Sequence, residues 1–556
     1  MKKKVWAKIQ RKDLIFILIW NAICLVAGIL IMRPIFETND DLTIVEMVSG
    51  GLWGKDAHVV YQNCLLGKLY VLLYSITKKV PWYGLVQYFF LWLAFSVIVY
   101  IIWKRLPKTL GITLSVLILC FWGYECYIKM QYTKTAGVLA IAGILLIFHE
   151  CTKENLSKKR LILGVVLSCV GSMYRYEQFI ACVAMMSGLG VYQLLKNWRE
   201  DDLRKIWKPV LWVVITLVVS LGLKEFDTYI YESEPQWKQY TEYNDLRTKL
   251  LDYDFPKYKD YEEQYTKWGI TEDAYNLWRH WNFGDPDLFN VETMKKLVSL
   301  TSEKALNGEL IEDFFDKFPK KYFQTPVFYG VLLLIFLGIL ERKNNKEKYG
   351  TWIYEFLLFV GLYLYLFWRG RYDRNHVDVS LWLAVLLVII WTLDETRQWF
   401  ERQAGIVLCA AILILGQYQW YDNWRINAMK SGLDARSVLE ELREDPGHLY
   451  ITKNKTLSYA IGYGPLDVMP EEISSNFTFF GGWETNTVMW KEKLARYDVV
   501  NLYKDSINNE KVRLIDDEID VTMNYIHTYY DENAKAIQMD TYKGYPVYKI
   551  VSEDQE

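Results

Sequence analysis

No Cys-x-x-Cys pair occurs among the eight cysteines of this 556-residue chain, and none follows Cys409. Most lie in or beside apolar blocks (Cys24, Cys120, Cys169, Cys182), so neither a zinc site nor a disulfide framework is indicated. Strong charge of one sign is also lacking: the formal net charge of −2 argues against a general nucleic-acid binder. No internal repeat or low-complexity tract stands out. What is abundant is apolar and aromatic, with 52% hydrophobic residues, 23 Trp and 41 Tyr. A mean hydropathy near zero averages very apolar blocks with very polar ones.

Those apolar blocks recur at membrane-spanning length, roughly 17 to 25 residues. They run near Leu14 to Ile31, Trp82 to Trp103, Leu110 to Trp122, Ala136 to Phe148, Leu161 to Met173, Phe179 to Leu195, Val210 to Leu223, Val327 to Leu340, Ile353 to Trp368, Val377 to Leu393 and Ile406 to Tyr418. The expected fold class is therefore a polytopic α-helical membrane protein of about 11 spans. Basic connections (the amino-terminal MKKKVWAKIQRK, KRLPK, KENLSKKR, KNWREDDLRKIWK, ERKNNKEK and the weaker DETRQWFERQ) alternate with the others and predict a cytoplasmic amino terminus. The first span lacks a small-x-small cleavage site and reads as an uncleaved anchor.

Three large segments then face outward: Arg33 to Pro81, roughly Lys224 to Gln324, and the tail from Tyr421. Within the first, HVVYQNCLLGKLYVLLYSITKK has the pattern of an amphipathic helix at the interface or dipping into it. The chain divides into a transmembrane module over 1–420, carrying outward loops 33–81 and 224–324, and an extracytoplasmic soluble domain over 421–556. That domain reads as mixed α/β: ARSVLEELRED and KEKLARY as helices, HLYIT, DVVNLY and YPVYKIV as strands.

The stretch ETNDDLTIVEMVSGG, just past the first span, sets Glu37, Asp40 and Asp41 within five residues. Thr38, Asn39 and Asp40 suit a helix amino terminus, and Gly50 and Gly51 its end, but capping leaves Asp41 unexplained. A carboxylate there also suits a base that takes a proton from an acceptor hydroxyl, with the second acid orienting it or holding a divalent ion. Cationic candidates lie on the same side. MYRYEQF holds Arg175 and Glu177, as an anion site or a mutual structural pair. YIKMQYTKTA holds Lys129 and Lys134, for which snorkelling is the simpler account. WRGRYDRNHVDVS gathers Arg369, Arg371, Arg374 and His376 against the positive-inside trend, and guanidinium forks match phosphate oxygens. A structural network with neighbouring acids is the alternative. His58 with Asp56 gives poor evidence of metal ligation, and Trp268, Trp278 and Trp281 suit sugar stacking, interface anchoring or core packing.

This layout resembles the GT-C superfamily of membrane glycosyltransferases: a cytoplasmic amino terminus, an acidic motif directly after the first span, about a dozen helices and an outside soluble domain. It is also similar to bacterial membrane proteins that carry an NDD motif after their first span. The resemblance implies an inverting hexosyl- or pentosyltransferase in the plasma membrane, with a polyprenyl-phosphate sugar as donor and a cell-surface glycan, lipid-linked saccharide or wall polymer as acceptor. It implies Asp40 and Asp41 as the acidic motif, which of them is the base being open. A divalent cation, Mg or Mn, is implied as for several members, with Asp40 and Asp41 as its ligands. Arg371 and Arg374, joined by Arg369, Arg175, Glu177, Lys134 and His376, are the expected substrate-binding set. A flippase for lipid-linked saccharides and a non-catalytic scaffold are the rival readings.

Overall fold

The computed structural model describes residues 2–199, 203–253, 255–301, 306–323, 325–340, 346–372, 374–393, 411, 415–423, 435–453 and 462–552. Most of the expected Ile406 to Tyr418 span, the DETRQWFERQ connection and Asp373 lie outside the described residues. Among the described residues, eight helices are long and apolar enough to cross a bilayer. This defines a multi-pass membrane protein.

Helix α1 (Lys2–Ile31) is followed by two shorter helices, α2 (Asn39–Ser49) and α3 (Cys64–Ile76). Then come α4 (Trp82–Arg105), α5 (Lys108–Gly123), α6 (Tyr132–Cys151) and the 17-residue α7 (Lys158–Tyr174). Helices α8 (Tyr176–Met185) and α9 (Ser187–Arg199) form one span, and α10 (Trp207–Ser233) another. Helix α6 is the centre of the bundle: it packs on α4, α7, α8 and α18 (Asn375–Thr392) and is 94% buried along its apolar window. At the end where the basic connections gather, Arg105 donates to the Trp391 carbonyl and Glu150 pairs with Lys153 and Arg160.

Helix α3 turns Tyr70 and Tyr74 into the protein and leaves Leu69, Leu72 and Ile76 exposed. That one-sided burial fits a helix resting against lipid.

Between α10 and the later spans run α11 (Pro235–Arg247), α12 (Glu262–Lys267), α13 (Glu272–Arg279), α14 (Val291–Leu300) and α15 (Gly308–Tyr322). The last makes an 83° bend into α16 (Pro326–Ile339), giving a ninth span if the pair is one. Helix α17 (Lys346–Trp368) precedes α18.

The tail contains helices α19 (Ala435–Arg443), α20 (Val488–Ala495) and α21 (Ile519–Tyr529). A two-stranded ladder in the bundle joins β1 (Ile35–Phe36) and β2 (Lys129–Met130); the tail sheet comprises β3 (Leu449–Thr452), β4 (Phe477–Phe479), β5 (Val512–Ile515), β6 (Lys535–Tyr542) and β7 (Tyr545–Val551). Its order is β4-β3-β5-β7-β6, with β3 parallel to both neighbours and β7 antiparallel to β5 and β6. The β6–β7 hairpin closes on Lys543 and Gly544, both at positive φ, as a two-residue turn requires.

HLYIT and YPVYKIV form strands and ARSVLEELRED and KEKLARY form helices as expected. DVVNLY does not form a strand. Asp498 sits at φ 59, the Asp505 carboxylate accepts the N–H groups of Val500 and Asn501, and Val500 is 69% exposed. A local carboxylate thus replaces the ladder hydrogen bonds a strand would need. The central strand is instead β5, VRLI.

The tail shares its core with the segment between α10 and α15. Leu250, Tyr265, Trp278, Phe289 and Leu297 form one hydrophobic cluster with Leu449, Ile451, Phe480, Leu494 and Leu514. Buried Asp285 ties the halves together, accepting from Tyr525 at 2.7 Å and Asn501 at 2.8 Å. The tail also docks on α2 and α4: Ser474 donates to Glu46 at 2.9 Å, and a Cβ on Gly84 of α4 would fall 1.9 Å from the Pro465 carbonyl oxygen.

Candidate active site

Helix α2 starts at Asn39, with Thr38 in the cap position but making no side-chain cap bond. Asp40 is therefore not the cap: both aspartates lie in the first turn, where negative charge still meets the helix dipole. The helix ends as expected on Gly50 at φ 91. Strand β1 pairs in parallel with β2, and the Glu37 N–H donates to the Met130 carbonyl at 2.9 Å. This ladder presses the NDD turn against the start of α6.

The two acids have different surroundings. Asp41 is fully buried; its Oδ1 accepts from the Tyr83 hydroxyl at 2.7 Å and the Tyr132 N–H at 3.2 Å. Burial pushes its carboxyl up to about 8, against the bonds from Tyr83, Gln87 and Tyr132, with the Asp40 charge adding to the rise. Asp40 keeps partial access to solvent. Burial lifts its carboxyl to about 6, Asp252 adds to that, and Arg175, Arg247 and Arg374 oppose it. At neutral pH the reachable acid is the ionised one.

The cations around Asp40 come from three distant segments. Arg175, between α7 and α8, pairs with Glu177 at 3.0 Å and lies over the Tyr61 ring at 5.3 Å. The mutual pair is thus present, and Arg175 still acts on Asp40. Arg374 precedes α18 and is exposed, with Arg371 and Arg369 nearby on the Tyr253 ring at 4.4 and 5.4 Å. Arg371 also faces Asp252 at 3.6 Å.

Arg247, the last residue of α11, was not singled out from the sequence. Its side chain is wholly buried, bonded to Asn244 at 2.8 Å and Thr248 at 3.0 Å, and set over the Trp281 ring at 5.0 Å. Its Nη1 has no hydrogen-bond partner and stands 3.7 Å from Asp252. In the sequence it is one basic residue in the charged run YNDLRTKLLDYDF, without a spacing signal. The tail supplies a wall as well: Trp483 packs edge-on to Tyr61 at 5.1 Å, and its carbonyl accepts from Tyr240 at 2.6 Å.

Lys134 is not free to hold an anion, nor does it snorkel. Its fully buried Nζ lies 2.9 Å from Glu37 Oε2 and 2.7 Å from Glu125 Oε2, and donates to two backbone carbonyls. Glu37 completes the strut by accepting from Asn375 at 2.7 Å. His376, in the first turn of α18, lies within electrostatic reach of Glu37 and Lys134. Trp278 belongs to the tail-facing core, whereas Trp281 stands over Arg247.

Asp40 and Asp41 offer two carboxylates, and Asp41 Oδ2 has no hydrogen-bond partner, a set that suits Mg²⁺ only together with substrate phosphate. Asp41 spends one oxygen on Tyr83 and Tyr132, arginines surround Asp40, and no group of three His, Cys, Asp or Glu suited to an ion exists among the described residues.

Comparison with known proteins leaves the family open. No family model matches the chain, and no curated protein matches it. Among solved structures, that of ArnT from Cupriavidus metallidurans bound to undecaprenyl phosphate aligns over 98% of this chain and 97% of that one, at 10% identity and a TM-score of 0.36. At that score the likeness decides nothing, and the chemistry has to come from the residues themselves.

Proposed function

We propose that this protein is an integral-membrane glycosyltransferase that transfers a sugar, with inversion, from a polyprenyl-phosphate donor to a glycan, lipid-linked saccharide or wall polymer. The observation that carries the reading is Asp40: a reachable carboxylate among Arg175, Arg247 and Arg374, whose charges favour its ionised form. Asp40 takes the proton of the acceptor hydroxyl as its oxygen bonds to the anomeric carbon. The bond from that carbon to the donor phosphate oxygen breaks, and the electron pair leaves with the polyprenyl phosphate. Arg374 and Arg371 bind the phosphate at the rim, while Arg175 and the Nη1 of Arg247, which has no hydrogen-bond partner, stabilise the charge that develops on it.

Asp41 orients the first turn of α2 and does not exchange protons with substrate. In this reading the site faces outward, the amino terminus is cytoplasmic, the spans number about eleven, and the 421–556 unit lies outside with Trp483 bordering the acceptor side.

The test is release of free polyprenyl phosphate from a panel of polyprenyl-phosphate sugars by the purified protein in lipid, with candidate acceptors present. Release that Asp40→Asn abolishes in a folded protein supports the reading. Absence of release from every donor overturns it in favour of transport or scaffolding.

A further inference from the structure

Helices α16, α17 and α18 enclose a groove of about 190 Å³, larger than the roughly 150 Å³ in which an apolar cavity already houses a benzene ring. Phe328, Ile335, Phe359, Trp382 and Val385 make its wall, and exposed Leu332 and Phe356 mark its open side. One lining residue does not belong to such a wall. Glu355, near the middle of α17, is 1% exposed, and neither of its carboxyl oxygens has a hydrogen-bond partner.

The neighbours make room for this acid without satisfying it. The Trp352 Nε1, a donor on the same wall, is committed to Thr392 Oγ1 at 2.9 Å. On α9, Gly188 lies so close that a Cβ there would stand 2.3 Å from Glu355 Oε2. A polar group orphaned among hydrocarbon is costly, and an ionisable residue inside a membrane segment marks a functional site by default.

We propose that this groove binds a single-chain amphiphile ending in a hydroxyl, with its chain on the aromatic wall and its hydroxyl on the Glu355 carboxyl. A hydroxyl donates and accepts at once, so it can meet a carboxyl in either protonation state. A bare hydrocarbon leaves the carboxyl unmet, and an ammonium requires a desolvated ion pair. This site is independent of the transferase reading, since Glu355 takes no part in the reaction proposed at Asp40.

The experiment uses the full-length protein in lipid nanodiscs with a dodecanol carrying a mid-chain diazirine, beside the same chain as alkane, amine and carboxylate. After irradiation, crosslinks are mapped by mass spectrometry. The alcohol should label residues 326–339, 352–359 and 382–389 about three- to tenfold above the alkane, the range one neutral hydrogen bond gives. Glu355→Leu and Gly188→Ala should bring labelling down to the alkane level, and Glu355→Gln, whose amide also donates and accepts, should retain it. Equal labelling by alkane and alcohol in the unmodified protein overturns the proposal without recourse to any variant. Preference for the amine or the carboxylate overturns it as well.

Discussion

The Tyr83 hydroxyl donates to Asp41 Oδ1 at 2.7 Å, deep in the protein, and this bond separates the roles of two acids that are neighbours in the chain. With the Tyr132 N–H on the same oxygen, Asp41 is a buried anchor of α2. Asp40, one residue earlier, looks into the arginine cluster.

Asp40→Asn is therefore expected to lower the release of polyprenyl phosphate by about 10²- to 10⁴-fold, the usual contribution of a general base. Asp41→Asn preserves an acceptor for Tyr83 and Tyr132 and should cost less than about tenfold. Asp41→Leu leaves those donors unmet and should destabilise the protein by about 1–3 kcal/mol for each. Turnover and thermal unfolding of the three variants check this. An inactive, well-folded Asp41→Asn beside an active Asp40→Asn would reverse the assignment.

The pH profile should follow Asp40. A base must be ionised to work, so kcat/KM should rise as pH climbs through about 6, the value to which burial lifts the group. Asp252 raises that carboxyl and Arg374 lowers it. Asp252→Asn should accordingly move the rising limb to lower pH, and Arg374→Gln should move it to higher pH. Shifts in the opposite directions, or none, would remove Asp40 from the titration.

Lys134→Met should destabilise the protein by about 3–5 kcal/mol, because it leaves two acids buried without their shared cation. Combining it with Glu37→Gln and Glu125→Gln should recover part of that loss. Thermal unfolding in detergent gives the comparison, and an unaffected single variant would show that the strut is dispensable.

Removing residues 421–556 should leave a chain that aggregates instead of an active membrane module. Tyr265, Trp278, Phe289 and Leu297 lose the other half of their cluster when the tail is absent. Size-exclusion chromatography decides this: a monodisperse, fully active truncated protein would mean that the shared core is unnecessary.

With arginines near Asp40 supplying positive charge for the leaving phosphate, a chelator should leave release unchanged. Activity that disappears with EDTA and returns with Mg²⁺ or Mn²⁺ would contradict this.

The sequence by itself determined the local features. Apolar length marked the bundle, because a span must keep its backbone bonds internal and its side chains apolar. The α2 helix was legible from ETNDDL and its terminal glycines, and the hairpin strand YPVYKIV from its alternation. The lone Arg175 and the arginine cluster at 369–374 were visible in the charge pattern. Only the tertiary structure decided which acid is reachable, because residues adjacent on a helix point about 100° apart and the chain does not record what covers each face. It likewise turned Lys134 into a strut, since Glu37 joins Glu125 around it only after β1 pairs with β2. Arg247, set over Trp281, and Trp483, in the cluster that fills the bundle, reached the site from segments some two hundred residues apart, a proximity that comes from burial and leaves no local periodicity to read.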